Sequence, residues 1–192
     1  MESVLQSLIS GLVVGSIYAL IALGFVLIYK STAVINFAQG ELLMFGAYLC
    51  LTLVVALKIP FWLAFFATLI AAALLGFVLE RLFLRPMIGE PVISIIMLTI
   101  GLASLLQGII HVTWGSETRV YPAIFSAEPM RFGGVVVSQV YLYSVLFAVI
   151  CLVLFNLFFH HSSSGIAMRA VANDQQAAQS MGISIKKIFA IA

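Results

Sequence analysis

Charged residues are scarce in this chain of 192 residues: they make up 8% of it, whereas 64% of the residues are hydrophobic and the mean hydropathy is +1.21. Soluble domains are about half apolar and about a quarter charged. A soluble enzyme or nucleic-acid-binding protein is therefore excluded. The nine basic residues form no run that follows a phosphate backbone, so no nucleic-acid partner is expected. The chain is predicted to be an integral membrane protein.

Motifs for catalysis and for metal binding are also missing. Cys50 and Cys151 lie in apolar stretches and are expected to be free thiols. The three histidines are not spaced with carboxylates or cysteines as the ligands of a zinc site are. The sequence has no G-x-S-x-G motif and no P-loop, so we expect no enzyme activity and no cofactor bound by this chain. Any ATP must be bound by another subunit.

Apolar stretches of the required length are frequent, since a helix needs about 20 apolar residues to cross a bilayer core of about 30 Å. The predicted fold is an all-α multi-span bundle that forms a single transmembrane domain over residues 1–192. Residues 188–192 begin a further span, so the chain is expected to be truncated after five spans. These five predicted spans are residues 9–29, 41–57, 61–79, 92–111 and 140–159.

The distribution of basic residues predicts the orientation, because cytoplasmic loops are enriched in lysine and arginine. Six basic residues fall on one side of the predicted spans and three on the other. The richer side is assigned to the cytoplasm, which leaves the N-terminus outside. The six are Lys30, Arg81, Arg85, Arg169, Lys186 and Lys187, and the three are Lys58, Arg119 and Arg131.

Two glycines four residues apart, Gly11 and Gly15, lie in the first span. Glycines at this spacing let two helix backbones approach closely. Such a face is typical of ordinary packing within a bundle, and it is also compatible with a hinge or a helix that lines a moving pathway. Both interpretations stay open.

Glu80-Arg81 ends the third span and is expected to be an interfacial pair. A polar segment, residues 35–41, interrupts the apolar sequence between the first two spans. In this segment, Asn36 and Gln39 are predicted to form a capping box at the start of span two. The positive end of the helix dipole would then favour the carboxylate of Glu41. Alternatively, Gly40 and Glu41 lie along a water-filled pathway, because a carboxylate at mid-bilayer costs roughly 2.5–3.5 kcal/mol or more unless it is paired or hydrated.

Residues 160–187 are too polar to insert and are predicted to form a cytoplasmic loop with two short helices, over residues 166–172 and 174–181. Asn173 is predicted to be an N-cap with Gln176 at the third helical position. Asp174 adds a negative charge to the first turn. Gly182 is expected to end the helix in a left-handed conformation.

Small side chains give this loop a mildly apolar surface, formed by Ala170, Ala177, Ala178 and Met181. Such a surface suits docking into a groove of a partner protein. An interfacial helix that lies on membrane lipid is the alternative, and the basic residues of the loop fit either interpretation.

The outer segment, residues 112–139, is the expected face for an extracytoplasmic partner. It carries the aromatic residues Trp114, Tyr121, Phe125 and Phe132, which lipid headgroups also attract. Gly133-Gly134 predicts a small hairpin.

The motifs, taken in order, resemble a known family. Gln176-Ala177-Ala178 followed by Gly182 is similar to the "EAA…G" loop of ABC importer permeases, and the remaining motifs resemble the LivH-type permeases of branched-chain amino acid importers over essentially the whole chain. Two departures are Gln176, where the family often has glutamate, and the end at Ala192, since members of the family continue through further spans. The remaining motifs are residues 15–20, 35–41, 85–86 and 165–174.

The resemblance implies a subunit of the bacterial inner membrane that does no chemistry itself. Its implied partners are ABC ATPase subunits that use ATP, a second permease subunit and a periplasmic solute-binding protein. A stand-alone channel or secondary transporter for a small polar solute is the alternative. The resemblance gives the ATPase-coupling role to Arg169, Asn173, Asp174, Gln176, Ala177, Ala178 and Gly182, and a pathway or hinge role is expected for Gly11, Gly15, Asn36, Gln39, Gly40 and Glu41.

Overall fold

A computed structural model describes residues 2–32, 35–122, 129–132 and 135–191 of the chain. Over these residues the regular secondary structure is helical apart from one two-stranded hairpin. The elements are α1 (Glu2–Thr32), α2 (Gln39–Val55), α3 (Phe61–Leu79), α4 (Val92–Trp114), β1 (Pro129–Phe132), β2 (Val135–Ser138), α5 (Gln139–His161), α6 (Ser163–Asn173), α7 (Gln175–Ser180) and α8 (Ile185–Ile191).

Among the described residues, four apolar helical stretches are long enough to cross a membrane, and α2 is a shorter apolar helix of 17 residues. This confirms the predicted all-α multi-span fold. The starts of α3 and α4 agree with the prediction, because Pro60 and Pro91 precede them and proline suits the start of a helix. The four long stretches are Gln6–Lys30, Phe61–Met87, Val92–Trp114 and Gln139–His161.

The third stretch is longer than predicted. Its α-helical part ends at Leu79 as expected, but the chain continues as a π-helical turn, Glu80–Leu84, and then as a 3₁₀ turn, Arg85–Met87. The predicted span 61–79 is therefore eight residues too short, and the helical conformation ends at Met87. At the end of the chain, α8 begins at Ile185, three residues before the predicted further span.

The chain divides into two compact units, residues 1–27 with 123–167 and residues 28–122 with 168–192. In the second unit, α2 packs against α3 and α4 around a buried core. Leu102 lies ten residues into α4, and at 1.5 Å per residue this is about 15 Å from the start of that helix. The first turn of α2 is therefore opposite the middle of α4. The core is formed by Ala38, Leu79, Leu102 and Leu106.

In the first unit, β1 and β2 pair antiparallel and β2 leads directly into α5. The register pairs Phe132 with Val135, so the predicted hairpin is confirmed. Gly133 and Gly134, and also Phe125, lie outside the described residues.

A tight turn joins α5 to α6 in the same unit. The Ser162 amide donates to the Phe158 carbonyl oxygen at 3.0 Å, and Gly165 is buried in the first turn of α6. A Cβ atom on Gly165 would lie 2.5 Å from the Phe158 oxygen and 2.8 Å from the Phe159 Cα. Both contacts are with backbone, which cannot rotate away as a side chain can, so only glycine fits here.

We expect Gly165→Ala to lower the thermal stability of the protein by about 1–3 kcal/mol, as overpacking typically does. The measurement is thermal unfolding of the purified permease in detergent. Gly101→Ala is the matched control, because nothing lies within 4 Å of a Cβ at that position and alanine favours a helix. Equal melting temperatures for the two variants would contradict the close approach at Gly165.

Candidate functional site

The turn before α2 depends on a buried asparagine. Asn36 is 6% exposed, and its Oδ1 accepts a hydrogen bond from the Ala38 amide at 3.0 Å. The N-cap of α2 is Ala38, which provides no side-chain cap. The predicted capping box of Asn36 and Gln39 is therefore wrong. Asn36 instead closes the turn two residues before the helix, as asparagine does in an Asx turn.

Glu41 lies in the first turn of α2, as predicted. It follows Ala38 by three residues and precedes Phe45 by four, so all three share the helix face that meets α4. Ala38 packs in the core with Leu102, and the ring of Phe45 is 5.6 Å from that of Trp114. Glu41 therefore lies beside the second half of α4, within the apolar span. Its Oε2 is buried without a hydrogen-bond partner among the described residues.

A cavity of about 310 Å³ lies at the end of the second unit where α2 begins. Its walls are mainly apolar, and three polar side chains, Asn36, Glu80 and Thr99, face it. Helix α8 contributes Phe189 and Ala190. The cavity therefore brings together the turn before α2, the end of α3, the start of α4 and the helix that follows α7.

Glu80 is 5% exposed and forms a two-pronged ion pair with Arg85. The Arg85 Nε donates to Oε1 at 3.1 Å, and its NH2 nitrogen donates to Oε2 at 3.1 Å. The Arg85 amide also bonds the Glu80 carbonyl, as a π-turn requires. The expected interfacial pair of Glu80 with Arg81 is therefore wrong. Helical periodicity of 3.6 residues does not bring residues five apart together, whereas the wider π-turn does.

At the opposite end of this unit, aromatic residues attach the segment after α4 to α2. The Trp114 Nε1 donates to Thr52 Oγ1 at 2.7 Å, and the rings of Trp114 and Tyr48 stack at 5.6 Å. The Tyr121 hydroxyl donates to the Ala47 carbonyl, and burial raises the pKa of Tyr121 to about 12. Two of the aromatic residues expected at an outer surface therefore bond within the chain.

Helix α7 is held by a cap at each end. Asp174 is its N-cap, and Oδ1 of Asp174 accepts from the amides of Gln176 at 2.8 Å and Ala177 at 2.9 Å. Asn173 is the last residue of α6, so the predicted Asn173 cap and its capping box with Gln176 are wrong by one residue. Gly182 has φ +83°, which confirms the predicted left-handed position.

The end of α7 is a Schellman turn. The Gly182 amide donates to the Gln179 carbonyl, and the Ile183 amide donates to the Ala178 carbonyl, both at 3.0 Å. Ala178 is 4% exposed, so it does not belong to the outer surface predicted for it. The exposed residues of α7 include Gln176 and Ala177, and Met181, 82% exposed, lies directly after the helix. We call these three residues the loop face.

Three of the remaining candidate residues are glycines that lie open. Nothing among the described residues lies within 4 Å of a Cβ built on Gly11, Gly15 or Gly40. The close helix approach predicted from Gly11 and Gly15 does not occur in the described part of this chain. Arg169 is half-buried, and its Nε has no partner among the described residues. No group of three or more metal-ligating side chains occurs in residues 2–32, 35–122, 129–132 and 135–191.

The chain matches the family model for the permease component of branched-chain amino acid transport systems over residues 7–192. It belongs to this family.

Three relatives illustrate the similarity. The high-affinity branched-chain amino acid transport system permease protein BraD of Pseudomonas aeruginosa is 33% identical over 201 residues, which cover 97% of this chain and 65% of BraD. The corresponding permease protein LivH of Escherichia coli is 28% identical with the same coverage. A probable LivH permease protein of Methanocaldococcus jannaschii is 29% identical over 185 residues, 92% of this chain and 57% of that protein. No solved structure matches the chain significantly.

This permease-family chain spans 65% of the length of BraD and LivH. Its relatives are named as transport permeases and not as enzymes. Family membership and the apolar helices make it a multi-pass membrane protein, of the inner membrane in bacteria.

We expect Asp174→Ala to destabilise α7 by about 1 kcal/mol, because two helix amides lose their acceptor. Hydrogen exchange at the amides of residues 176–178 should become several-fold faster, since about 1.4 kcal/mol corresponds to a factor of ten. Asn173→Ala is the control and should leave this exchange unchanged. Equal protection in the two variants would mean that Asp174 does not cap α7.

Proposed function

We propose that this chain is the transmembrane permease subunit of an ATP-driven ABC importer. It would form part of the translocation pathway for branched-chain or related amino acids. The observation that carries this proposal is the match to the permease family over residues 7–192. The names of BraD and LivH, which include branched-chain amino acid transport, support the class of solute.

The proposed assembly supplies what the chain lacks. ABC ATPase subunits would bind and hydrolyse ATP, and a second permease subunit would complete the pathway within the membrane lipid. A periplasmic solute-binding protein would deliver the solute from outside. The open glycine face at Gly11 and Gly15 supports a helix partner from another chain or segment, because glycines four apart permit close packing.

The loop face is the proposed docking surface for the ATPase. Gln176, Ala177 and Met181 are exposed on a short helix whose ends are fixed by Asp174 and Gly182. A helix that is fixed at both ends can pass on a displacement without unwinding. Ala178 would anchor the helix from its inner side, and Asn173 and Arg169 would support it from α6. The α7 end of the second unit would then face the cytoplasm, as the basic residues indicate.

The proposed solute pathway includes the start of α2. Oε2 of Glu41 is buried without a partner among the described residues, in the first turn of an apolar helix, where an unpaired polar group is costly. Contact with a hydrated pathway would offset that cost. Asn36, Gln39 and Gly40 would shape the same turn.

One observation favours a second candidate function. An intramembrane carboxylate such as Glu41 is also what an ion-coupled secondary transporter or a stand-alone channel needs. Such a protein would work without an ATPase.

A pull-down from native membranes, with a tag on the chromosomal copy, separates the two candidates. Recovery of an ABC ATPase subunit with the permease is the expected result. Uptake by the permease in the absence of every ATPase subunit would overturn the proposal in favour of the second candidate.

We expect Gly182→Val to uncouple ATP hydrolysis from uptake, because a β-branched residue is strained at φ +83° and would disturb the end of α7. Uptake of radiolabelled leucine and ATPase recovery are measured in the complete importer. Gly182→Asn is the control, since asparagine tolerates this conformation, and it should retain most activity. Normal uptake with valine would contradict the role of this turn.

We expect Glu41→Gln to leave membrane insertion intact and to change the maximal uptake rate by roughly tenfold, about 1.4 kcal/mol in activation free energy. The glutamine keeps the shape of the side chain and removes its charge. Glu90→Gln, at an exposed position outside the helices, is the control. Unchanged uptake kinetics in Glu41→Gln would reduce Glu41 to a residue that stabilises the start of α2.

A further inference from the structure

We infer that the Glu80–Arg85 ion pair positions the π-turn Glu80–Leu84, and that this turn is displaced when α7 and α8 move. In this role the pair links α7, through α8, to the cavity at the start of α2. The inference rests on the proposed function, because it assumes that an ATPase moves α7.

A continuous series of contacts within the second unit joins α7 to the π-turn. Helix α7 passes into α8 through the Schellman turn at Gly182, and the two helices are in contact. Helix α8 in turn contacts the π-turn Glu80–Leu84. Ile188 of α8 is buried, and Phe189 lines the cavity together with Glu80. A displacement of α7 therefore reaches the π-turn through a single intervening helix.

The ion pair is what holds this turn in its shape. A π-turn is rare, it lacks the regular bonding of an α-helix, and it occurs frequently at functional sites. Here the backbone bond from Arg85 to Glu80 is doubled by two side-chain bonds between the same residues. Because the Glu80 carboxylate is buried, separating it from Arg85 would leave a charge without a partner. The pair therefore makes the turn move as one body.

The cavity beside the pair provides room for this movement. Its polar side chains already have partners within the protein: Glu80 bonds Arg85, Asn36 accepts from Ala38, and Thr99 donates to the Ile96 carbonyl. The other lining residues are apolar. A volume of about 310 Å³ with satisfied polar groups lets Phe189 and the π-turn shift without breaking a packed core.

The test uses the complete importer with three variants. Glu80→Gln combined with Arg85→Gln removes both charges, so no buried charge is left without a partner and folding is preserved. Arg85→Lys keeps the positive charge but loses the two-pronged geometry. Arg81→Gln is the matched control, because Arg81 is exposed on the same π-turn.

We expect the double variant to insert normally and to retain the ATPase in pull-downs. Its maximal uptake of radiolabelled leucine should fall at least about tenfold, within the usual range of coupling between sites, with an unchanged apparent KM. Arg85→Lys should fall by a smaller factor, and Arg81→Gln should match the parent. Parent-like maximal uptake in the double variant, or an equal loss in Arg81→Gln, would overturn the inference.

A second readout follows the movement itself. Phe189→Cys is introduced together with Cys50→Ala and Cys151→Ala, and labelling of the new thiol by a maleimide is compared without nucleotide and with ATP bound. The labelling rate should depend on nucleotide in the parent and should lose this dependence in the double variant. Persistence of the dependence in the double variant would overturn the inference alone. Failure of the parent to recover any ATPase would overturn the proposed function, and the inference with it.

Discussion

Polar groups inside a bilayer must find partners within the protein, because no water is present to solvate them. This constraint explains how the chain places its polar side chains along the apolar helices. Thr68 and Thr99 donate to carbonyl oxygens of the preceding turn, and Thr52 does the same while it accepts from Trp114. Such local bonds let isolated polar residues stay within a span. The helices are interrupted where a polar side chain bonds the backbone of a turn, as Asn36 does before α2.

The same constraint explains the buried ion pair. A glutamate in the last turn of an apolar helix can either reach the interface or find a cation nearby. Glu80 pairs with a nearby cation, because the π-turn brings Arg85 within reach. The turn, the pair and the longer third span are therefore one feature. It could not be predicted from periodicity, because the pairing depends on a backbone geometry that the 3.6-residue pattern does not contain.

Features with a residue-type signature were predictable from the sequence. The starts of α3 and α4 follow from Pro60 and Pro91, and the end of α7 follows from Gly182, whose positive φ favours glycine. Where two neighbouring residues cap a helix equally well, the sequence does not show which of them is the N-cap. Asn173 and Asp174 both suit an N-cap, and the choice depends on how far α6 continues. The burial of Ala178 depends on tertiary packing, and residue type alone does not distinguish it from the exposed Ala177 beside it.

The start of α2 combines these effects. Its N-terminus lies opposite the middle of α4, and its N-cap is an alanine without a side-chain acceptor. The positive end of the helix dipole would therefore be left uncompensated inside the apolar layer, and Glu41 in the first turn supplies a negative charge there. A carboxylate held by a dipole needs no cation of its own, which explains how Oε2 is buried without a hydrogen-bond partner among the described residues. Stabilising the helix and lying beside a pathway are thus compatible roles, because the dipole fixes the position of the charge without a cation that would occupy the carboxylate.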